Sequence, residues 1–168
     1  KGRDLIGAVN AVGVRRDARG AASLAKLAAD DDEAVAAAAI RALGKIGTVQ
    51  TAGILSALKV PASLPPPLHD ACLRCAGALA AAGKKEEAET VYLSVFPVAE
   101  SLHIKRACLA GLAETGSPAA VGAVMRGIES DNPRLATASM RLAARLPGKK
   151  TTAALAGALP NLPDDRQA

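Results

Sequence analysis

Aromatic side chains are nearly absent from this chain of 168 residues, which contains Tyr92 and Phe96 but no tryptophan. Half of the residues (50%) are nevertheless apolar, and alanine is the most frequent of them. A core of such small side chains favours helix packed on helix, because alanine is the best intrinsic helix former and β-rich folds depend on β-branched and aromatic residues. The composition therefore predicts an all-α protein.

Long uncharged runs are also missing. The longest, at 46–58 and 151–163, have 13 residues each, and a bilayer-spanning helix needs roughly 18 or more. The sequence predicts no membrane span. A basic and apolar leader is absent too, so we expect any targeting segment to lie outside this sequence, and the compartment is left unassigned.

Cysteine is scarce, and charge is close to balanced. Three cysteines are an odd number and too few for a disulfide framework. The 21 basic and 16 acidic residues give a net charge of +5. This excess is compatible with an acidic partner, but it is too small to indicate nucleic-acid binding by itself.

A short block typified by Ala-Leu-Gly-Lys-Ile-Gly at 42–47 recurs along the chain. Related blocks end at residues 16, 47, 83, 116 and 147, in steps of 31, 36, 33 and 31. A period of this size fits one helical hairpin. We therefore predict one repeat domain over 1–168, with complete units at 17–47, 48–83, 84–116 and 117–147 and partial units at 1–16 and 148–168.

Each complete unit is predicted to hold two helices. Asp17 is a candidate N-cap and Gly47 a candidate helix stop, and Pro118 and Pro133 each follow a capping residue at a first helical position. The predicted pairs are 18–29 with 33–46, 48–59 with 67–82, 84–96 with 101–115, and 118–129 with 133–146. Single helices are predicted at 4–14 and 150–159, with a partner for the latter beginning near Pro163.

Two features qualify this regular pattern. One position of the second helices is always small, as expected where neighbouring helices approach closely; its occupants are Ala39, Cys75, Cys108 and Ser139. The connection 60–67 is rich in proline and accounts for the longest step. We expect it to run extended as a spacer, with a docking loop as the alternative.

The repeats resemble a known family. The shared pattern is an acidic turn, then an aliphatic residue, then an Ala-rich helix that ends in Ala-Leu-Gly-x-x-Gly. It is clearest at 30–47 and appears again at 104–116. This pattern is similar to HEAT repeats of the short bacterial type named after phycobilisome-lyase subunits. The resemblance implies a right-handed α-α superhelix, or α-solenoid, of about four to five helical hairpins. The basic residue that commonly follows the aliphatic position is present as Lys105 but replaced at Ala36, Cys72 and Ala136, which indicates degenerate repeats. Incomplete units at both ends, without polar caps, predict that the array continues in a longer chain.

In HEAT-like solenoids the second helices line the concave side. The resemblance therefore implies a groove built from positions out of phase with the buried stripe. It would be basic at both ends and apolar in the middle, which suits a protein segment with acidic residues around a hydrophobic anchor. Alternatively, these cations only solvate an Ala-rich surface. The predicted partner-binding residues are Arg41, Lys45, Leu73, Arg106, Arg141 and Arg145, with Gly77, Ala81, Ala110 and Thr137 between them.

The sequence offers no convergent reactive set. The metal-like residues are His69, Cys72, Cys75, His103 and Cys108. On one helix, His69, Cys72 and Cys75 spread over about 120° of its circumference, so buried structural thiols are expected rather than a zinc site. Haem attachment is excluded because Ala76, not histidine, follows Cys75. Motifs of nucleophilic, metalloprotease or phosphate-loop sites are absent as well.

Two functions of different classes follow. The first is a non-catalytic, cofactor-free interaction or scaffold module that binds a protein partner or neighbouring domains of its own chain. The alternative is a nucleic-acid-binding module related to the HEAT-like alkylpurine DNA glycosylases. Such glycosylases stack the modified base among aromatic side chains. Tyr92 and Phe96 are predicted to lie in the core, so this chain is expected to lack that stacking platform. The resemblance to phycobilisome-lyase repeats also raises bilin handling, but a fold alone does not supply a function.

Overall fold

The protein is all-α in the residues that the computed structural model describes, which are 2–61, 63–146 and 148–158. Its α-helices are, in chain order, α1 (Gly2–Val14), α2 (Ala21–Leu27), α3 (Glu33–Ile46), α4 (Val49–Ala57), α5 (Pro65–Ala81), α6 (Lys85–Val95), α7 (Leu102–Thr115), α8 (Pro118–Ile128), α9 (Pro133–Ala143) and α10 (Lys149–Ala158). A 3-10 turn (Ala18–Gly20) precedes α2. The prediction of a helix near Pro163 lies outside the described residues.

The helices contact each other in two series. Each odd-numbered helix from α3 to α7 packs on the odd-numbered helices before and after it, and α1 and α9 lie at the two ends of this series. Helices α4, α6 and α8 each contact the odd-numbered helices on both sides of them in sequence, and α2 contacts α3. Helix α4 also contacts α2 and α6, and α10 contacts α8. The odd-numbered helices are the predicted second helices of each pair. Because α3 has neighbours on several sides, it is buried over most of its circumference.

Local capping signals place most of the helix ends. The Asp32 carboxylate accepts hydrogen bonds from the backbone N–H groups of Ala34 and Val35 at the start of α3. Thr48 forms a capping box with Thr51 at the start of α4. The backbone turns left-handed after α3 and α7, where φ is 66° at Gly47 and 71° at Gly116. These residues end the predicted repeat blocks, so the sequence period and the helix stops coincide.

Three predicted helices are at least three residues shorter than expected, and one of them, 48–59, is helical over Val49–Ala57. The segment 18–29 is a 3-10 turn followed by α2. The Asp17 carboxylate accepts a hydrogen bond from the backbone N–H of Arg19, and the next residue, Gly20, is a weak helix former, so a regular α-helix begins only at Ala21. The segment 133–146 is helical only to Ala143. Leu146 precedes a proline in the sequence, and a residue in that position avoids the helical conformation.

The prediction that 60–67 runs extended is wrong for its last part. Pro65, Pro66 and Pro67 form the first turn of α5. The first backbone N–H groups of a helix have no partner within it, so prolines cost no hydrogen bond there. Before the helix, the N–H of Leu64 donates to the carbonyl of Pro61 over 3.0 Å and closes a turn.

The small positions of the second helices are fully buried, and two of them contact the first helix of their own pair. Ala39, Cys75, Cys108 and Ser139 have no exposed surface. The Cys75 sulfur lies 3.7 Å from the Thr51 hydroxyl of α4. Ser139 lies against Gly127 of α8, where a Cβ on the glycine would overlap the serine hydroxyl. Cys75 and Ser139 therefore let the two helices of their pairs approach each other.

Close approach between successive odd-numbered helices depends on glycine instead. A Cβ built on Gly13 of α1 would lie 2.8 Å from the Cα atom of Ala42 in α3. A Cβ built on Gly44 of α3 would lie 2.7 Å from both the Cα atom and the carbonyl oxygen of Ala71 in α5. Gly13 and Gly44 occupy the same position in consecutive repeat blocks. This position is therefore where one pair stacks on the next.

None of the helices in the described ranges is both long and apolar enough to cross a bilayer, in agreement with the sequence prediction.

We expect Asp32→Ala to lower the free energy of unfolding by about 1 kcal/mol, because two backbone N–H groups at the start of α3 lose their acceptor. Urea denaturation measures the change. Asp31→Ala is the matched control, since it removes the same charge from an adjacent exposed position that caps no helix. Equal losses in the two variants would show that charge, and not capping, is responsible.

Candidate functional site

Four clefts open along the exposed side of α1, α3, α5, α7 and α9, which we call the odd-helix face. The largest, the α7–α9 cleft, has a volume of about 730 Å³. Arg106 and His103 from α7 line one wall, and Arg134, Arg141 and Arg145 line the other. The floor is formed by small or apolar residues, among them Ala107, Ala110, Ala138 and Leu142. No acidic residue lines this cleft.

Among the described residues, no acidic side chain forms an ion pair with the arginines of the α7–α9 cleft. Arg106, Arg134, Arg141 and Arg145 are exposed. The ion pair within the described ranges joins Arg19 to Asp17 and involves none of them. Each guanidinium has five N–H donors in a planar fork that matches a carboxylate or a phosphate. The cleft is therefore equipped to bind an anion.

A second basic region lies at the other end of the face. The α3–α5 cleft, of about 450 Å³, is lined by Arg16, Lys45 and Arg74 above a floor that includes Gly77 and Ala81. A smaller cleft of about 210 Å³ adjoins it, shares Arg74 with it, and adds Arg41 and Asp70.

The middle of the face is apolar and weakly acidic. The α5–α7 cleft, of about 710 Å³, is lined by Asp70 and Glu100 and by no lysine or arginine. Its apolar lining residues are Val60, Pro65, Pro66, Leu68, Val98 and Ile104. Val98 is 64% exposed, so most of its aliphatic surface is open to solvent. Burial lowers the pKa of His69 in this cleft, although the carboxylates of Asp70 and Glu100 oppose the change.

The clefts are continuous. Pro66 and Asp70 line both the small cleft and the α5–α7 cleft, and His103 lines both the α5–α7 and the α7–α9 clefts. Together their linings contain eight basic residues against two acidic ones. The whole chain has a net charge of only +5, so the positive excess is concentrated on this face.

Five of the six predicted partner-binding residues line these clefts. Arg106, Arg141 and Arg145 are in the α7–α9 cleft, together with Ala110 and Thr137. Lys45 is in the α3–α5 cleft with Gly77 and Ala81, and Arg41 is in the small cleft.

The sixth predicted residue, Leu73, lies elsewhere. It is half-buried and packs against the hydrophobic core, and the next residue, Arg74, lines the α3–α5 cleft instead. A shift of one residue turns a helical side chain by about 100°. The apolar middle is therefore formed by other residues than those predicted, at the starts of α5 and α7.

Sequence reasoning also missed Arg16, Arg74 and Arg134. Arg16 has a signal in the sequence, because it ends its repeat block where later blocks have Gly47, Gly83 and Gly116. Its φ is 51°, a left-handed conformation that is uncommon for residues other than glycine. Arg74 and Arg134 can be recognised as cleft residues only when it is known which side of α5 and of α9 faces the clefts.

The metal-like residues do not form a site. Within the described residues, no group of three or more His, Cys, Asp or Glu side chains is arranged to hold a metal ion. Burial raises the pKa of the Cys72 and Cys108 thiols to about 12, with smaller contributions from neighbouring cysteines. Burial also raises the pKa of Cys75. Neutral thiols at physiological pH are poor nucleophiles and poor metal ligands.

No protein-family model matches this chain, and no curated protein is similar to it.

Proposed function

We propose that this chain is a non-catalytic, cofactor-free interaction module with the architecture of a HEAT-like α-solenoid. In this proposal, residues 1–168 form one right-handed superhelical domain whose odd-helix face is the concave groove that binds a protein partner or a neighbouring domain. The support is the agreement between the repeat period, the left-handed turns at block ends and the contacts between successive odd-numbered helices.

The alternation of charge along the odd-helix face is the observation that carries this function. Basic clefts lie at both ends, and the α5–α7 cleft between them presents apolar residues with Asp70 and Glu100. A protein segment with acidic residues on both sides of an apolar stretch matches this order. A uniform polyanion does not, because its central charges would meet two carboxylates.

Nucleic-acid binding is the second candidate, and the eight basic residues on the face favour it. Base stacking has no support, since Tyr92 and Phe96 are each only 6% exposed. Contacts to a duplex would therefore be limited to phosphates, whose affinity falls steeply with salt.

A fluorescence-anisotropy titration separates the two candidates. The probes are a labelled peptide with glutamates on both sides of a leucine–valine stretch and a DNA oligonucleotide of equal charge, single- and double-stranded. We expect the peptide to bind more tightly, with a modest loss between about 50 and about 200 mM salt. Tighter binding of DNA, with a steep salt dependence, would replace the proposal by the nucleic-acid function.

Absence of turnover is part of the same proposal. The protein is expected to release no base from alkylated DNA and to transfer no bilin to an acceptor protein. Measured turnover in either assay, above that of heat-denatured protein, would contradict a non-catalytic role.

A further inference from the structure

We propose that the α7–α9 cleft is a specific binding site for a short extended protein segment with acidic residues at both ends and an aliphatic residue between them. This inference rests on the proposed function and assigns the primary site within the odd-helix face. The occupant is identified by the chemistry of the two walls and the floor.

The walls fix the charge of the occupant. Arg106 faces the cleft from α7, and Arg134, Arg141 and Arg145 face it from the other side. The described ion pair involves none of these four, so their donors are available to a ligand. Paired N–H···O bonds from arginine to a carboxylate are stronger and more directional than bonds between neutral groups.

The spacing along α9 fixes the length of the occupant. Arg134 is in the first turn of α9 and Arg145 lies two residues past its last residue, Ala143. The helical part between them is about 14 Å long. An extended chain covers that distance in about five residues. The outer arginines are therefore positioned to bind carboxylates at the two ends of such a segment.

The floor distinguishes a peptide from a nucleic acid. Ala107, Ala110, Ala138 and Leu142 form an apolar base that accommodates an aliphatic side chain. No tryptophan, tyrosine or phenylalanine lines the cleft to form a stacking platform for bases, and His103 is the one lining residue with an aromatic ring. The segment therefore places one apolar side chain inward, with its carboxylates toward the walls.

Three charge-reversed variants test this site. The first, Arg141→Glu/Arg145→Glu, alters the proposed site. The second, Lys45→Glu/Arg74→Glu, alters the basic clefts at the other end of the face. The third, Lys85→Glu/Arg126→Glu, makes the same change in net charge on α6 and α8. All six residues are half-buried or exposed, and thermal melts followed by circular dichroism verify that each variant folds.

The probe is a labelled seven-residue peptide with three glutamates on each side of one leucine, and the readout is its dissociation constant by anisotropy. We expect the first variant to weaken binding about tenfold or more, and the second and third to weaken it less than threefold. Replacing the leucine by serine in the probe is expected to weaken binding to the unaltered protein.

The possible outcomes separate this inference from the proposed function. If the second variant loses binding and the first retains it, the α7–α9 site is wrong while an interaction role stands. If all three variants lose affinity equally, attraction is only a net-charge effect and the site is wrong. If the unaltered protein binds an oligonucleotide but not this peptide, both proposals fail. If it binds a phosphopeptide but not this peptide, the occupant inferred here is wrong while an interaction role stands.

Discussion

Gly44→Ala is expected to lower the free energy of unfolding by about 2–3 kcal/mol, although alanine is the better helix former. The new Cβ would lie 2.7 Å from the Cα atom and the carbonyl oxygen of Ala71. Backbone atoms cannot rotate away as a flexible side chain can, so α3 and α5 must separate. Separation exposes the apolar surface around Ile40 and Leu43, which is fully buried in the native protein.

Gly53→Ala is the matched control for this prediction. Gly53 is inside α4, is exposed, and has open space where a Cβ would be added. The same substitution there is expected to leave stability unchanged or to raise it by up to about 1 kcal/mol. Urea denaturation of both variants measures the contrast, and equal effects would show that Gly44 is not a close-approach position.

A compensating substitution sharpens the test. Ala71→Gly removes a Cβ that would lie 2.9 Å from the new methyl group, but it leaves the closer Cα and carbonyl atoms in place. The double variant Gly44→Ala/Ala71→Gly is therefore expected to be no more stable than Gly44→Ala alone. Recovery of stability would show that the obstacle is the Ala71 side chain.

Helix existence and most helix ends could be predicted from sequence, because they depend on local signals. Asp32 and Thr48 cap the helices that follow them, and Gly47 ends α3. The first turn of α5 was missed because no polar capping residue precedes Pro65, as Ser117 and Asn132 precede Pro118 and Pro133, and the proline content of 60–67 was taken to exclude a helix. The cost of proline was overestimated there. Its cost applies to the helix interior and not to the first turn.

The candidate site could be predicted only in part, because it depends on helix rotation and on tertiary neighbours. Arg141 near the end of α9 and Arg145 just beyond it are recognisable as an exposed row. Which of Leu73 and Arg74 faces the clefts depends on how α5 contacts α3, α4 and α6. The apolar middle of the face combines Leu68 with Val98, which are 30 positions apart in sequence. Periodicity within one helix cannot predict that two such distant residues line the same cleft.

The same limit applies to the cysteines. Their spacing argued against a metal site but gave no information about ionisation, which depends on burial between helices. Cys72 is 4% exposed and Cys108 is fully buried. The pKa of each thiol is raised to about 12, mainly by loss of hydration. That property has a direct consequence for stability at alkaline pH.

Stability is expected to fall steeply as the pH rises above about 9. In the unfolded chain these thiols ionise near their ordinary pKa of 9.0, whereas in the folded protein Cys72 and Cys108 stay protonated to about 12. Between these values the unfolded state binds fewer protons, so the slope of unfolding free energy against pH is negative. Each thiol contributes a loss of about 1.4 kcal/mol per pH unit in that range.

The double variant Cys72→Ala/Cys108→Ala tests this origin. It is expected to be less stable than the unaltered protein at pH 7, because two buried side chains become smaller, but to lose much less stability between about pH 9 and about pH 10.5. Burial also raises the pKa of Tyr92, which adds a loss of the same sign, but Tyr92 is retained in both proteins. Urea denaturation across this pH range gives the two slopes. Parallel slopes would show that the thiols ionise as readily in the folded protein as in the unfolded chain, and the alkaline loss would then have to come from other groups.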